Sequence, residues 1–347
     1  MINRHLFISC LSVLTIISCS RKADISSVQI IGNTIPVNNI TATDKLSTNY
    51  NVNVFKNVKY GYNTNWLDSG EALTLDVYTP PDASLNNKYP LVVMAHGGTF
   101  VGGAKEDLAD VCGALAAKGM IAASINYRLG WDGRGARRCM GDTASLNEAV
   151  YRAMQDLNAA LRFLTANANT YFINTNWIFT GGASAGAITA LNGAYLTDTY
   201  AKVRFKQAYS KLGSLFTADN NLTNTYHIKG ICSMWGGIFD PAIITGANAL
   251  PTIFYHGSND TIIPAKTGNY LQCPNYQTLY GSIYMYNKLT RMGVPAVAHI
   301  YQGEGHAPPE YANNPDFIAS TTYCFFDALR SGKSESGIYK QMESNCK

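Results

Sequence analysis

The sequence predicts an α/β fold with a mostly parallel, doubly wound sheet of eight strands. Strand-like and helix-like stretches alternate along the chain, which favours parallel pairing through helical crossovers. Several strand-like stretches are continuous apolar runs, as expected of strands buried on both faces. After the N-terminal segment, roughly 290 residues remain, enough for one large domain. The predicted strands are 58–62, 73–78, 91–95, 121–126, 177–180, 228–234, 252–255 and 297–301.

Helices are predicted at 105–118, 146–168, 277–292 and 317–329. The second is the clearest, because Val150, Met154, Leu157, Leu161 and Leu164 recur at helical spacing. Two connections, 128–145 and 197–227, are longer than this architecture needs. We expect the second to form a small lid or loop insertion.

The N-terminus predicts an export signal. Arg4 and His5 precede an apolar run over 6–17, which is too short for an ordinary membrane-spanning helix. The run ends in Ile16-Ile-Ser-Cys19, which resembles the lipobox of bacterial lipoproteins, where the cysteine is lipidated after cleavage. We therefore expect a lipoprotein signal peptide at 1–18, a tether at 19–55 and an α/β domain at 56–347. An ordinary secretory signal is the alternative.

Lipidation at Cys19 would anchor the exported protein at the membrane, in the periplasm or on the cell surface. An oxidising compartment also allows disulfides among the later cysteines, although spacing alone does not define their connectivity. We expect Cys112–Cys139 and Cys273–Cys324 as loop staples and Cys232 as a buried free thiol. No C-x-x-C pair is present, so zinc chemistry is not expected.

Charge gives no indication of a nucleic-acid partner. The net charge is +4, and no basic run is longer than two residues. The 22 tyrosines suit a surface that meets sugars or aromatic groups.

The most informative motif is Gly182-Ala-Ser184-Ala-Gly186. It follows the apolar run 177–180 and precedes a helix-like segment, which is the strand–turn–helix context of a nucleophile elbow. Glycines on both sides let strand and helix approach closely. The motif therefore predicts Ser184 as a nucleophile, with an incidental serine in a Gly-rich turn as the alternative.

A serine nucleophile needs a base and an acid that orients it. Of the six histidines, His306 alone sits in a glycine-bracketed loop beyond the last predicted strand. Asp260, in the loop after the preceding strand, is the expected acid, with Asp240 as its rival. The order Ser184, Asp260, His306 is characteristic of α/β-hydrolases.

The charge formed on an attacked carbonyl needs fixed donors. His96-Gly97-Gly98-Thr99-Phe100 follows the strand 91–95, and its glycines can turn amides inward. We expect an oxyanion hole from the N–H groups of Gly97, Gly98 or Thr99 together with Ala185.

These motifs, with Asn126-Tyr-Arg-Leu-Gly130 and His256-Gly-x-x-Asp260-x-x-x-Pro264, occur in one order over about residues 58 to 330. In that arrangement the chain resembles esterases of the α/β-hydrolase superfamily, especially the carboxylesterase and hormone-sensitive-lipase-like branches. Thr99 stands where many relatives have a third glycine, which leaves open which amides form the oxyanion hole.

The resemblance implies a serine carboxylic-ester hydrolase that forms an acyl-enzyme and needs no metal or organic cofactor. Its expected partner is a small or polymer-attached ester, with Phe100 and Trp235 as expected substrate-binding residues; Trp235 in the core is the alternative. Peptidase, amidase or thioesterase activity would use the same motifs. A polyester depolymerase would be a specialisation, and a non-catalytic surface binding protein is the remaining alternative.

Overall fold

A computed structural model describes residues 50–133 and 139–347. Cys10, Cys19, the predicted signal peptide and most of the predicted tether lie outside the described residues. The strands within them are β1 (Asn53–Thr64), β2 (Gly70–Thr79), β3 (Tyr89–Ala95), β4 (Ile121–Ile125), β5 (Ile173–Ala183), β6 (Ile228–Met234), β7 (Gly237–Ile238), β8 (Thr252–Gly257), β9 (Thr267–Asn269), β10 (Thr278–Gly281), β11 (Ala296–Tyr301) and β12 (Gly337–Lys340). The α-helices are α1 (Ala109–Ala117), α2 (Thr143–Ala166), α3 (Ala185–Tyr195), α4 (Asp198–Arg204), α5 (Lys206–Leu212), α6 (Ser282–Arg291), α7 (Pro309–Ala312) and α8 (Pro315–Arg330).

Nine of these strands form one sheet, in the order β1-β2-β4-β3-β5-β6-β8-β11-β12. β2 pairs antiparallel with β1 and β4, and all further neighbours pair parallel. The eight predicted strands all fall in this sheet, so the mostly parallel architecture is confirmed. The ninth, β12, alternates between half-buried and exposed residues, and such a short segment gives no apolar run in the sequence.

Each face of the sheet has its own apolar core. Along β3, Leu91, Val93 and Ala95 belong to the larger cluster with α2 and α3. Val92 and Met94 belong to the smaller cluster with α1 and α8. Successive side chains of a strand point to opposite faces, so a strand covered on both sides must be apolar throughout. This explains the continuous apolar runs in the sequence.

The largest differences from the predicted helix boundaries are at the start of α2 and at the start of the predicted helix 277–292. α2 begins three residues earlier than expected, where the Asp142 carboxylate accepts a hydrogen bond from the Ser145 N–H at 2.6 Å and caps the helix. The predicted helix 277–292 is wrong in its first part, because residues 278–281 form β10. This strand pairs with β7 and β9 in a separate three-stranded sheet, and that pairing overrides the helical spacing.

The long connection 197–227 contains α4 and α5 and then runs along α2. Tyr62 of β1 also binds it, through an N–H to the Asp219 carbonyl at 2.8 Å. Polar side chains of α2 donate hydrogen bonds of 2.6 to 3.1 Å to its backbone carbonyls: Tyr151, Gln155, Asn158 and Arg162. The connection is therefore an insertion held against α2, and its movement as a lid stays a prediction.

Both predicted disulfide pairings are wrong. Cys139 is bonded to Cys273, and Cys324 to Cys346. Cys112 is a free thiol buried in the smaller core with α8, whereas Cys139 and Cys273 contact the larger core. Cys324 lies on α8, which packs on the face of the smaller core. Each predicted pair would therefore have joined opposite faces of the sheet. The prediction that Cys232 is a buried free thiol is confirmed.

No helix within residues 50–133 and 139–347 has both the length and the apolar character that crossing a membrane requires.

Candidate active site

Ser184 occupies the sharp turn between β5 and α3. Its backbone has φ 53° and ψ −114°, a combination that L residues rarely adopt and that stores strain at functional sites. A Cβ at Gly186 would lie 2.0 Å from the Ala95 carbonyl oxygen, and one at Gly182 would lie 2.5 Å from the same atom. The turn lies tightly against the end of β3, so only glycine fits two residues before the serine and two residues after it.

The structure brings Ser184, His306 and Asp260 together at one edge of the sheet. His306 Nε2 lies 2.8 Å from Ser184 Oγ, and His306 Nδ1 lies 2.7 Å from Asp260 Oδ2. Asp260 follows β8 and His306 follows β11, and parallel strands end at the same edge. Because a carboxylate only accepts hydrogen bonds, Nδ1 carries the imidazole proton and Nε2 accepts from the serine hydroxyl.

Asp260 is fixed by backbone donors as well. Its Oδ1 accepts from the N–H groups of Ile262 and Ile263 at 2.8 and 2.9 Å. Burial raises the pKa of this carboxyl, but hydrogen bonds from His256 and His306 lower it by more. The net pKa lies well below the usual range of a carboxyl group, so Asp260 is ionised at neutral pH.

His256 is a functional-site contact that sequence reasoning missed. Its Nε2 lies 3.1 Å from Asp260 Oδ2 and 2.9 Å from the Ile263 carbonyl oxygen. Its Nδ1 lies 2.7 Å from Ser282 Oγ. The only signal in the sequence is that His256 precedes Asp260 by four residues, and across a strand end this spacing does not by itself predict contact.

The rival acid, Asp240, has other partners. Its Oδ1 accepts from the Ala242 N–H at 2.8 Å, and its Oδ2 accepts from the Tyr200 hydroxyl. Asp240 therefore joins α4 to the turn after β7, while Asp260 contacts the imidazole.

The loop after β3 has its carbonyl groups fixed by hydrogen bonds. The Gly97 carbonyl accepts from His96 Nδ1 at 2.7 Å and from the Tyr127 hydroxyl at 3.3 Å, while the His96 ring stacks on Tyr127 at 4.3 Å. The Gly98 carbonyl accepts from the N–H of Val101 at 3.0 Å. In a trans peptide the N–H points opposite to the carbonyl. Fixing these two carbonyls therefore fixes the N–H directions of Gly98 and Thr99.

This loop also contacts the elbow. A Cβ at Gly97 would lie 3.4 Å from Ser184 Cβ, so the two backbones are in close approach. Thr99 and Phe100 both have positive φ, 52° and 61°, which is costly for residues with a side chain. Ala185 is the first residue of α3, where an N–H has no acceptor within the helix. These are the positions at which the sequence predicts an oxyanion hole.

The two predicted substrate-binding residues are both mostly covered. Phe100 has no exposed surface and belongs to the larger core, with its ring 6.3 Å from that of Tyr127. Trp235 is 7% exposed and belongs to the smaller core. This placement gives Phe100 a packing role, because its side chain has no surface that a substrate could contact.

A second group of buried charges joins the loop after β4 to α2 and to the insertion. Arg128 Nε lies 2.9 Å from Asp156 Oδ1, and its Nη2 lies 3.0 Å from Asp219 Oδ1. Asn63 Nδ2 donates to the same Asp219 oxygen at 2.6 Å. Burial and the neighbouring Asp156 raise the pKa of Asp219 to about 8. The Arg128 guanidinium thus contacts two carboxyl groups.

Among the described residues, no three His, Cys, Asp or Glu side chains are grouped so that they could hold a metal ion.

Known proteins match part of this sequence. The BD-FAE family model matches residues 75–238. The cAMP-regulated D2 protein of Dictyostelium discoideum is 36% identical over 148 residues, 42% of this chain and 26% of that protein. Carboxylesterase 1C of Rattus norvegicus is 27% identical over 173 residues, 49% of this chain and 29% of that protein. The chain thus spans less than a third of the length of these two relatives.

Solved structures match over more of the chain. Thermogutta terrifontis esterase 2 phosphorylated by paraoxon has a TM-score of 0.54 at 14% identity, covering 81% of this chain and 96% of that one. The same esterase phosphonylated by sarin has a TM-score of 0.54 at 14% identity, covering 83% and 97%. With the strand order and the mostly parallel pairing described above, these matches show that the chain has an α/β-hydrolase fold.

Proposed function

We propose that this protein is a serine carboxylic-ester hydrolase of the α/β-hydrolase superfamily. The observation that carries the proposal is the continuous contact from Ser184 Oγ to His306 Nε2 at 2.8 Å and from His306 Nδ1 to Asp260 Oδ2 at 2.7 Å. The names of its relatives, a carboxylesterase and an esterase, favour esters over other acyl compounds.

In the proposed reaction, His306 Nε2 takes the proton of Ser184 Oγ as this oxygen attacks the ester carbonyl carbon. Asp260 stabilises the imidazolium that forms and keeps its Nδ1–H in place. The imidazolium then gives its proton to the leaving alkoxide oxygen, which leaves as an alcohol. His306 then deprotonates a water molecule, which attacks the acyl-enzyme carbonyl carbon. The bond from this carbon to Ser184 Oγ breaks, His306 returns the proton to that oxygen, and the carboxylic acid is released.

The N–H groups of Gly98, Thr99 and Ala185 are the proposed donors to the tetrahedral oxyanion. Their support is the fixed carbonyls of Gly97 and Gly98 and the close approach of Gly97 to Ser184. Such donors act most strongly when they need no reorientation during the reaction. The positive φ at Thr99 is a backbone strain that the surrounding contacts hold in place.

The test is hydrolysis of p-nitrophenyl esters from acetyl to long acyl chains by wild type, Ser184→Ala and His306→Ala. We expect wild-type turnover and a loss of at least about 10⁴-fold in kcat for each variant, because the residues of a triad act as a unit. His227→Ala, a histidine outside this site, is the matched control and should retain wild-type kcat. Equal activity in wild type and Ser184→Ala would overturn the proposal.

A fluorophosphonate probe separates the other functions. Labelling of Ser184 without ester turnover would redirect the search to thioesters, amides or peptides. Absence of both labelling and turnover would favour a non-catalytic binding protein. The chain-length profile of the active enzyme would bound the acyl pocket.

We further propose that the protein acts outside the cytoplasm and is anchored to a membrane through a lipid on Cys19. The disulfides Cys139–Cys273 and Cys324–Cys346 support a location outside the cytoplasm, because disulfides persist in oxidising compartments. Esters on extracytoplasmic molecules or polymers are then the expected substrates. We expect labelled palmitate to be incorporated into the wild type but not into Cys19→Ala. The variant should also be released from the membrane fraction. Equal membrane attachment of both would contradict the anchor.

A further inference from the structure

We propose that His256 is a positioning residue that holds the Asp260 carboxylate and shares its negative charge with His306; this rests on the ester-hydrolase function proposed above. The described contacts form one chain through five side chains. From one end to the other they are Ser282, His256, Asp260, His306 and Ser184. Two histidines thus contact one carboxylate.

The tautomer of His256 follows from its partners. Its Nε2 faces the Ile263 carbonyl oxygen at 2.9 Å and the Asp260 carboxylate at 3.1 Å, and both of these groups only accept. Nε2 therefore carries a proton and shares it between them. In the neutral ring Nδ1 is then an acceptor, and the Ser282 hydroxyl at 2.7 Å supplies the proton.

His256 and Ser282 both belong to regular secondary structure. His256 is the penultimate residue of β8, and Ser282 is the first residue of α6; both are fully buried. The second Asp260 oxygen is held by the N–H groups of Ile262 and Ile263. With its two oxygens contacted by four donors, the carboxylate has a single orientation toward His306.

Both histidines contact the same oxygen, Asp260 Oδ2. A donor on this oxygen draws charge away from the other donor, so His256 makes Asp260 a weaker partner for the His306 imidazolium. The titratable side chains that act on Asp260 are His256 from β8, His306 from the loop after β11 and, more weakly, Tyr270 before β10. Without His256, the imidazolium should be stabilised and the base protonated at higher pH.

The experiment compares His256→Phe with His299→Phe. His299 is a fully buried histidine on the neighbouring strand β11, and its Nε2 contacts Asn345 instead of Asp260. Both variants replace one buried imidazole by a ring without a donor. The readouts are the pKa of His306, from NMR titration of its ring, and the pH dependence of kcat and KM.

For His256→Phe we expect the pKa of His306 and the acidic limb of kcat to move up by about half a unit to one unit. The kcat value near neutral pH should fall by about tenfold with KM little changed, because residues of one hydrogen-bonded network are coupled. His299→Phe should leave the pKa of His306 at its wild-type value, and His256→Gln, which restores an N–H donor, should recover part of kcat. An unchanged or lowered pKa of His306 in His256→Phe overturns the proposal.

If His256→Phe does not fold, Ser282→Ala replaces it. Losing the donor to Nδ1 loosens His256, so a smaller upward shift of the His306 pKa is expected, and no shift overturns the proposal. The NMR readout does not depend on turnover. If the wild type hydrolyses no ester but the variant still shows the upward shift of the His306 pKa, the proposed function is contradicted. The contact between His256 and Asp260 remains supported in that case.

Discussion

Asp260 and Asp219 both have fully buried carboxyl groups, yet their surroundings shift their pKa values in opposite directions. Asp260 is contacted by two backbone N–H groups and two imidazoles, and its pKa is lowered. Asp219 shares one guanidinium with the carboxyl group of Asp156, and its pKa is raised. Burial raises the pKa of both carboxyl groups, so the difference between them comes from the groups that contact each one.

The difference teaches that the donors around a buried carboxyl group determine its charge. Asp219 Oδ2 has no hydrogen-bond partner among the described residues, so no donor stabilises a negative charge on this oxygen. Asp260 remains ionised, which is the state needed to stabilise an imidazolium. The following variants change donors or charge at one carboxyl group and leave the other intact.

The largest effect is expected for Asp260→Asn. An amide keeps the shape but does not stabilise the imidazolium and can hold the wrong imidazole tautomer, so kcat should fall by about 10³ to 10⁴-fold. Steady-state ester hydrolysis measures this, with Asp240→Asn as the matched control at near wild-type kcat. Comparable losses in the two variants would remove the distinction between these aspartates.

Arg128→Met should destabilise the fold by about 3–5 kcal/mol, because it leaves two buried carboxyl groups without their cation. Urea unfolding measures this difference. Arg330→Met is the control, since Arg330 forms a partly exposed pair with Asp327 on α8 and should change stability by less than about 1 kcal/mol. Similar free energies of unfolding in both variants would contradict a structural role for the cluster.

Asp219→Asn should make stability less dependent on pH. In the wild type the folded state holds the Asp219 proton up to about pH 8, whereas the unfolded state releases it near pH 4. The free energy of unfolding therefore falls as the pH rises between these values. At about pH 9 the variant should be more stable by about 1–3 kcal/mol, and this gain should disappear at about pH 5.

Asp260→Asn should have the opposite signature in the same unfolding experiments. Because its folded pKa is lowered, Asp260 stabilises the fold above about pH 4, and this contribution is lost as the pH falls further. The variant should therefore be less sensitive to acid than the wild type. Parallel pH profiles for Asp219→Asn and Asp260→Asn would show that the two carboxyl groups do not differ as described.

The smallest effect is expected for Asn63→Ala, which removes the 2.6 Å hydrogen bond to Asp219 Oδ1 and should cost about 1 kcal/mol in unfolding experiments. Asn63→Asp keeps the size but adds a third carboxyl group. It should cost more than Asn63→Ala, and increasingly so toward alkaline pH. The reverse order would mean that Asn63 acts by packing alone.

The strands of the large sheet and the proposed Ser184, Asp260 and His306 site could be predicted because their signals are local. A strand buried on both faces has a continuous apolar run, and a glycine-bracketed serine marks a tight turn whatever surrounds it. The contacts that were missed depend on which face of the sheet a segment reaches. Cys112 and Cys139 are close in sequence but contact different cores, and no local pattern records this.

The same limit applies to the charged groups. Nothing near Asp219 in the sequence distinguishes it from an exposed loop aspartate, because its burial comes from Arg128, Asp156 and Asn63, which are distant along the chain. In the sequence, His256 is recognisable only as a residue near the end of a strand. Its contact with Asp260 depends on the path of the loop after β8. Likewise, the first residues of the predicted helix 277–292 form β10 because they pair with β7 and β9.

The Cys139–Cys273 bond spans 134 residues of the chain, and both Ser184 and Asp260 lie inside that span. A protease that cuts one peptide bond anywhere between the two cysteines, for example in the insertion that follows α5, releases no fragment. The two pieces stay covalently joined, with Ser184 and His306 on the same molecule. Such nicked protein keeps its mass apart from one added water, and only a reducing agent separates its pieces.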